Sequence, residues 1–342
     1  MKKHLLLLVL AVFAIPVTLF ARGTQEKPET TQREITVYAY DSFVSEWGPG
    51  PLVVPAFEAQ TGIQVNLVSA GSGGELLGRL ELERHNPKAD VVIGISNELT
   101  HESVASQLLI PYKPDALAEI PEFLHFDPTY HLVPFNYGNY AFVYDANRVE
   151  DPPQSLHDLL DSRWTRSIIL MDPRTSSVGM GLLEWTVAVY GDEYLAWWEA
   201  VKPNVLTIAD GWSSGYGLFT QGEAPLVISY TTSPVYHVLY EESDRFKAQI
   251  FTEGNMAVIE GAGIVASTTD RAAAELFIEF LLTDAQTDIA IANIMYPVNS
   301  TTELPDAFES APKPEHSIML DTETIAENRE RWLQEWVEVM SR

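Results

Sequence analysis

Strand-like and helix-like segments alternate along this chain from residue 35 onward, and that alternation restricts the fold more than any other feature. Ile35–Phe43 (ITVYAYDSF) alternates and is rich in β-formers, Leu52–Gln60 has helical character and runs up to Gly62, and Ile63–Ala70 (IQVNLVSA) again reads as a strand. Glu75–His85 follows as a helix with Leu76, Leu77 and Leu80 on one side. Ala89–Ile95 (ADVVIGI) is a continuous apolar run, the pattern of a strand covered on both faces. This βαβαβ order predicts a doubly wound α/β lobe, because consecutive parallel strands need crossover helices between them.

After the proline-bearing stretch Pro111–Tyr130, Asn139–Tyr144 (NYAFVY) reads as a strand able to carry the chain into a second lobe, where the rhythm repeats. Helices are expected at Ser155–Asp161, Val178–Tyr190, Glu193–Val201, Ser213–Thr220 and Ser233–Glu241. Strands are expected at Ser167–Asp172, Val205–Ala209 and Ala224–Tyr230. Ala257–Ala266 is strand-like and suited to return the chain to the first lobe. Ala273, Phe277, Phe280 and Leu281 mark one helical face, as do Trp332, Trp336, Val339 and Met340. The expected architecture is therefore two α/β lobes, each a doubly wound sheet, joined by two crossing strands. Residues 35–138 plus about 255–300 form the first lobe and 139–254 the second, with 301–342 a C-terminal helical segment packing on the lobes.

The N-terminus has the three parts of a secretory signal: Lys2 and Lys3, an apolar run Leu5–Phe20 broken by Pro16, and Ala21 at the cut site. Residues 1–21 are expected to be removed, and 22–34, polar and without apolar period, to form a flexible leader. The chain has no cysteine, which excludes a lipid anchor at cysteine, disulfides, thiolate metal sites and a cysteine nucleophile. The expected location is the periplasm. The formal net charge of −27 opposes nucleic acid and anionic lipid and favours approach of a cationic solute, while also serving solubility.

Ligands of such sheets sit beyond the carboxyl ends of the strands, so the segments just after each strand are where chemistry is sought. Tyr40, Trp212, Tyr230 and Tyr236 fall in these segments, in polar, turn-rich settings. Flat rings there suit a planar heteroaromatic or cationic ligand. Trp185, Trp197, Trp198, Trp332 and Trp336 lie in helical periods and read as core. Asp172-Pro-Arg-Thr-Ser-Ser leads from a strand into a helix, an arrangement suited either to anion binding or to ordinary serine capping. Ala70-Gly-Ser-Gly-Gly-Glu also meets a helix start, and its glycines allow close approach of the backbone to a ligand. There is no Walker A loop, dinucleotide fingerprint, zinc-protease pair or Gly-x-Ser-x-Gly elbow, and the eight histidines lack metal-ligand spacing. No enzyme, metal or cofactor is expected.

With these segments in place, the chain resembles the periplasmic thiamine-binding proteins of ABC importers over essentially its whole mature length. The resemblance is carried by Val37-Tyr-Ala-Tyr-Asp-Ser-Phe, Trp47-Gly-Pro-Gly-Pro, Lys88-Ala-Asp-Val-Val, Ala141-Phe-Val-Tyr-Asp, Pro152-Pro-Gln-Ser-Leu and Asp172-Pro-Arg-Thr-Ser. Gly211-Trp-Ser, Tyr216-Gly-Leu-Phe, Ser229-Tyr-Thr-Thr-Ser-Pro-Val-Tyr-His and Met295-Tyr-Pro-Val complete it. It implies the type II binding-protein fold and capture of thiamine, thiamine monophosphate or thiamine diphosphate by lobe closure, for delivery to the importer's permease by a monomer. It further implies ligand-contacting positions for Tyr40, Ser176, Trp212, Tyr230 and Tyr236, with Ser176 and Trp212 at the phosphate end. Where the family has an acidic residue before a glycine, this chain has Ser72 before Gly73, and where the family has a stacking tryptophan it has Ile294. A thiamine precursor or pyrimidine is the alternative ligand, with ferric iron or an oxyanion ranked below it.

Overall fold

The computed structural model describes residues 33–71 and 73–341. The expected signal peptide, most of the expected leader and Ser72 lie outside the described residues.

Eight strands carry the architecture: β1 (Glu34–Ala39), β2 (Gln64–Ser69), β3 (Val91–Ser96), β4 (Val133–Asp145), β5 (Ile168–Met171), β6 (Val205–Ala209), β7 (Leu226–Tyr230) and β8 (Asn255–Val265). Their order across the sheet is β2-β1-β3-β8-β4-β7-β5-β6. β1 pairs in parallel with β2 and β3, and β3 pairs antiparallel with β8. β5 likewise pairs in parallel with β6 and β7, and β7 pairs antiparallel with β4. Each half thus repeats one topology, three parallel strands in the order 2-1-3 closed by one long antiparallel strand. β4 and β8 pair with each other over Val133–Asn139 and Ala257–Ala262. From Tyr140 onward β4 changes partner and pairs with β7. These are the two crossing strands of a two-lobed α/β fold.

The principal helices are α1 (Gly50–Thr61), α2 (Gly73–Leu82), α3 (Ser177–Tyr190), α4 (Trp212–Thr220), α5 (Pro234–Glu241), α6 (Arg271–Leu282), α7 (Gln286–Asn293) and α8 (Thr322–Met340). α1 ends where Gly62 takes φ +72°, the left-handed turn at which glycine carries no β-carbon penalty. Trp185, Trp197, Trp198, Trp332 and Trp336 are all buried, and Trp198 meets Trp336 of α8 edge to face at 5.8 Å. The helical period, with apolar residues gathered on one stripe, had marked them as core.

Three local expectations are corrected. The first strand stops at Ala39, and Asp41–Val44 is a helical turn, because burying Phe43 pulls the chain back under the sheet. The segment Ser155–Asp161 holds only a short 3₁₀ turn at Asp158–Leu160: Leu156 and Leu159 are both buried, but the Leu156 N–H donates to the Glu253 carboxylate and the Asp158 N–H to Ser155 Oγ, side-chain acceptors that compete with helix bonds. Arg33 and Glu34 belong to the folded body and not to a leader. Glu34 starts β1, and Arg33 makes two hydrogen bonds of 2.6 Å to the Asp270 carboxylate. Among the described residues no helix is long and apolar enough to cross a membrane.

Candidate functional site

The strands of both halves deliver aromatic side chains at their carboxyl ends. Tyr40 directly follows β1, Tyr230 is the last residue of β7, and Trp212 opens α4 three residues after β6. The turn at Tyr40 is anchored by Phe43, fully buried, whose ring meets Tyr40 at 5.7 Å and Phe135 of β4 at 6.4 Å. Burial of a phenylalanine contributes about 2–3 kcal/mol, enough to hold the turn. Gly94 makes room for Tyr40: with φ +99°, it lies where a β-carbon would fall 1.9 Å from Cδ1 of the tyrosine. Gly73 backs onto the same residue, since a β-carbon there would lie 2.7 Å from the Gly94 carbonyl oxygen. This close packing of α2 on β3 is a structural reason for glycine at 73, beside the ligand-approach role expected of it.

Trp212 is held in one orientation. Its Nε1 donates to Ser229 Oγ at 2.7 Å, and its ring stacks on Tyr216 at 5.1 Å and 17°. Tyr216 in turn stacks on the buried His237, whose Nε2 lies 3.0 Å from the Tyr216 hydroxyl and whose Nδ1 lies 2.7 Å from Glu241. Tyr230 stacks on its cross-strand partner Tyr140 at 5.4 Å and 29° and meets Trp212 at 6.5 Å. Trp47, 55% exposed, sits on the β1 side and reaches across to Trp212 at 6.3 Å.

Polar groups gather around the Tyr40 hydroxyl. It donates to Glu260 Oε2 at 3.0 Å and accepts from Asn293 Nδ2 at 2.6 Å, while Asn136 Nδ2 donates to the same Glu260 oxygen at 2.7 Å. Burial pushes the Glu260 carboxyl up to about 7 against the two hydrogen bonds, which favour its charged form, and the charge of Glu98 adds to the rise. Burial, and then the charge of Glu260, also raises the Tyr40 and Tyr230 hydroxyls well above the usual phenol range. Both tyrosines are therefore neutral hydrogen-bonding groups in the ligand-free protein at physiological pH. Among the described residues, no group of three or more His, Asp or Glu side chains gathers that could hold a metal ion.

Ser176 is the N-cap of α3, buried, with its Oγ accepting from Gly179 N at 3.5 Å. Its turn is tied to the Trp212 turn, because Thr175 Oγ1 donates to the Asp210 carbonyl at 2.7 Å. Arg174 is engaged by Asp172. The remaining two candidates lie at the edge of the ring cluster, Tyr236 joined to Trp212 only through His237 and Tyr216. Tyr236 is 43% exposed and touches His237 and Tyr240, the second at 5.2 Å. Ile294 ends α7 at φ +52° and packs beside Val235 and Tyr296, with its neighbour Asn293 the one that reaches Tyr40. Trp47 closes the segment after the first strand where chemistry is sought and opens one of the stretches that carry the resemblance, but no ligand role is expected of it; Asn136 and Glu260 are not marked by the sequence. These two polar residues sit inside strands, where period 2 marks them only as interruptions of an apolar face.

The model of bacterial extracellular solute-binding proteins matches residues 53–315. The thiamine-binding periplasmic protein of Brucella abortus is 42% identical, covering 90% of this chain and 92% of that protein. The protein of the same name from Escherichia coli is 41% identical, over 90% of this chain and 94% of that one. A solved periplasmic thiamin-binding protein superposes with a TM-score of 0.86 at 41% identity, covering 90% of this chain and 96% of that one. With its repeated 2-1-3 half-sheets and two crossing strands, the fold is that of a type II periplasmic binding protein, and the chain belongs to the bacterial extracellular solute-binding proteins, in the family of the thiamine-binding periplasmic proteins.

Proposed function

We propose that this protein captures thiamine, or one of its phosphate esters, in the periplasm by closure of two lobes and hands it to the permease of an ABC importer. The observation that carries this reading is the aromatic cluster at the strand carboxyl ends. Trp212 is held by Ser229 and Tyr216, Tyr230 by Tyr140, and Trp47 approaches from the other half. Rings fixed in advance lose little entropy on binding, and each ring contact with a flat cationic ligand is worth about 0.5–2 kcal/mol. The names borne by relatives at about 40% identity over most of the chain support the same solute. In this reading Tyr40, Tyr230 and Tyr236 hold the rings, Ser176 and Trp212 lie at the phosphate end, and Gly73 and Ile294 line the margin. The lobes divide at 138/139 and near 255, a division supported by the change of partner along β4 at Tyr140. The protein acts as a monomer and performs no chemistry on the solute. Titration of ligand-stripped protein with thiamine, its monophosphate and its diphosphate, followed by tryptophan fluorescence, is expected to give a saturable change at micromolar concentration or below. No saturable response to any of the three overturns the reading.

A further inference from the structure

Glu260 occupies an unusual place. It is the residue of β8 that pairs with Ser96, the last residue of β3, on one side and with Asn136 of β4 on the other. It therefore lies at the carboxyl end of the first half-sheet, beside the turn that presents Tyr40. Both ladders shift register next to it, between Glu260 and Gly261 on the β4 side and between Gly261 and Ala262 on the β3 side. Such bulges bend a strand and re-aim a side chain, and they concentrate beside functional sites. A carboxyl placed there with no ion-pair partner among the described residues carries a desolvation cost that an incoming cation would offset.

The chemistry around it calls for a donor or a cation. Among the described residues both hydrogen bonds to the carboxyl fall on Oε2. Asn136, with no exposed surface, finds no donor for its Oδ1 among the described residues. The titratable groups that face Glu260 are Tyr40 after β1, Glu98 after β3, Tyr140 on β4 and Tyr230 on β7, while Asn293 of α7 is neutral. None of these is a cation.

We infer that Glu260 is the charge-selecting residue of the binding site: its carboxylate, with Asn136 Oδ1 beside it, supplies the acceptor and the negative charge for a cationic, amine-bearing ring ligand. The inference rests on the thiamine reading above and names the group that reads the thiazolium charge. In the free protein the carboxyl is partly protonated near neutral pH, since burial raises it to about 7. Arrival of a cation favours the charged form, so binding releases a proton, and selection for a cation weakens as pH falls.

The test is calorimetric titration of the whole ligand-stripped protein with thiamine and with deazathiamine, whose neutral thiophene replaces the thiazolium ring. Wild type is expected to prefer thiamine. Glu260→Gln is expected to lose about tenfold to a hundredfold in thiamine affinity, with deazathiamine affinity changed by less than about threefold. Glu260→Asp, which keeps the charge, is expected to recover part of the preference. In wild type the preference is expected to shrink between about pH 8 and about pH 6, a readout available even if the glutamine variant does not fold. Equal losses for both ligands in Glu260→Gln, or a preference independent of pH and of the substitution, overturns the inference while leaving the thiamine reading intact. A wild type that saturates with neither ligand overturns both.

Discussion

At Gly94 the backbone serves two neighbours at once, giving way to the Tyr40 ring on one side and meeting Gly73 through its carbonyl on the other. A side chain there is strained by φ +99° and collides with Tyr40, so Gly94→Ala is expected to cost about 2 kcal/mol or more and to displace the tyrosine. The combination of a lower melting temperature and a thiamine affinity reduced at least tenfold, both measured on the same preparation, checks this; unchanged affinity contradicts the placement of Tyr40. Ile294 is the converse case. A β-branched residue in the left-handed region is a backbone outlier, and here it stands next to Asn293, which holds the Tyr40 hydroxyl. Ile294→Trp removes the β-branch and adds a ring near the site, so thiamine should bind about threefold to tenfold more tightly. An unchanged dissociation constant would place residue 294 outside the contact surface. The sequence marked residue 294 only by comparison with a family pattern; its strained backbone and its neighbour's hydrogen bond are tertiary facts.

Among the elements, α3 and α4 do the positioning for the β5–β6 half. Their first turns are joined by the hydrogen bond from Thr175 to Asp210, so the Ser176 cap and the Trp212 ring move together. Ser176→Ala removes a long cap bond and should lower stability by about 0.5–1 kcal/mol. If the same turn receives a phosphate, the variant also loses more affinity for thiamine monophosphate than for thiamine, read by parallel titrations; equal losses would leave Ser176 with capping alone. The strand–turn–helix pattern made both elements legible, since Val205–Ala209 and Val178–Tyr190 lie within a residue of the observed β6 and α3. The failure at Ser155–Asp161 has a simple cause. Leu156 and Leu159 are both buried there, but the Leu156 N–H is taken by Glu253, 97 residues away, a competing acceptor that the local sequence does not show.

Over the whole molecule, buried carboxyls set the response to pH. Glu260 is raised to about 7, and burial raises Glu98 and Glu184 as well. A carboxyl raised in the folded state binds more protons there than in the unfolded chain, so stability falls as pH rises between the unfolded value, about 4.5, and the folded one. The lowered carboxyls act oppositely. Asp145 and Asp270, hydrogen-bonded to Arg245 and Arg33, are stabilising above their unfolded values and lose that contribution in acid. The ligand-free protein should therefore melt at a higher temperature near pH 5 than near pH 8, by scanning calorimetry, with the difference reduced in Glu260→Gln; a melting temperature that rises toward pH 8 would contradict the burial of these groups. By itself the sequence determined the alternation of strands and helices, the two crossing strands, the buried tryptophans and the aromatic residues following the strands. All of these are written in local period and order along the chain. Only the tertiary structure decided that Trp47 meets Trp212 across the two halves and that Tyr40, Asn136, Asn293 and Glu260 share one hydrogen-bond network. Those partners lie more than a hundred residues apart in sequence, and only the packing of strands and helices, not local pattern, brings the atoms of the Tyr40 network within 3.0 Å of one another.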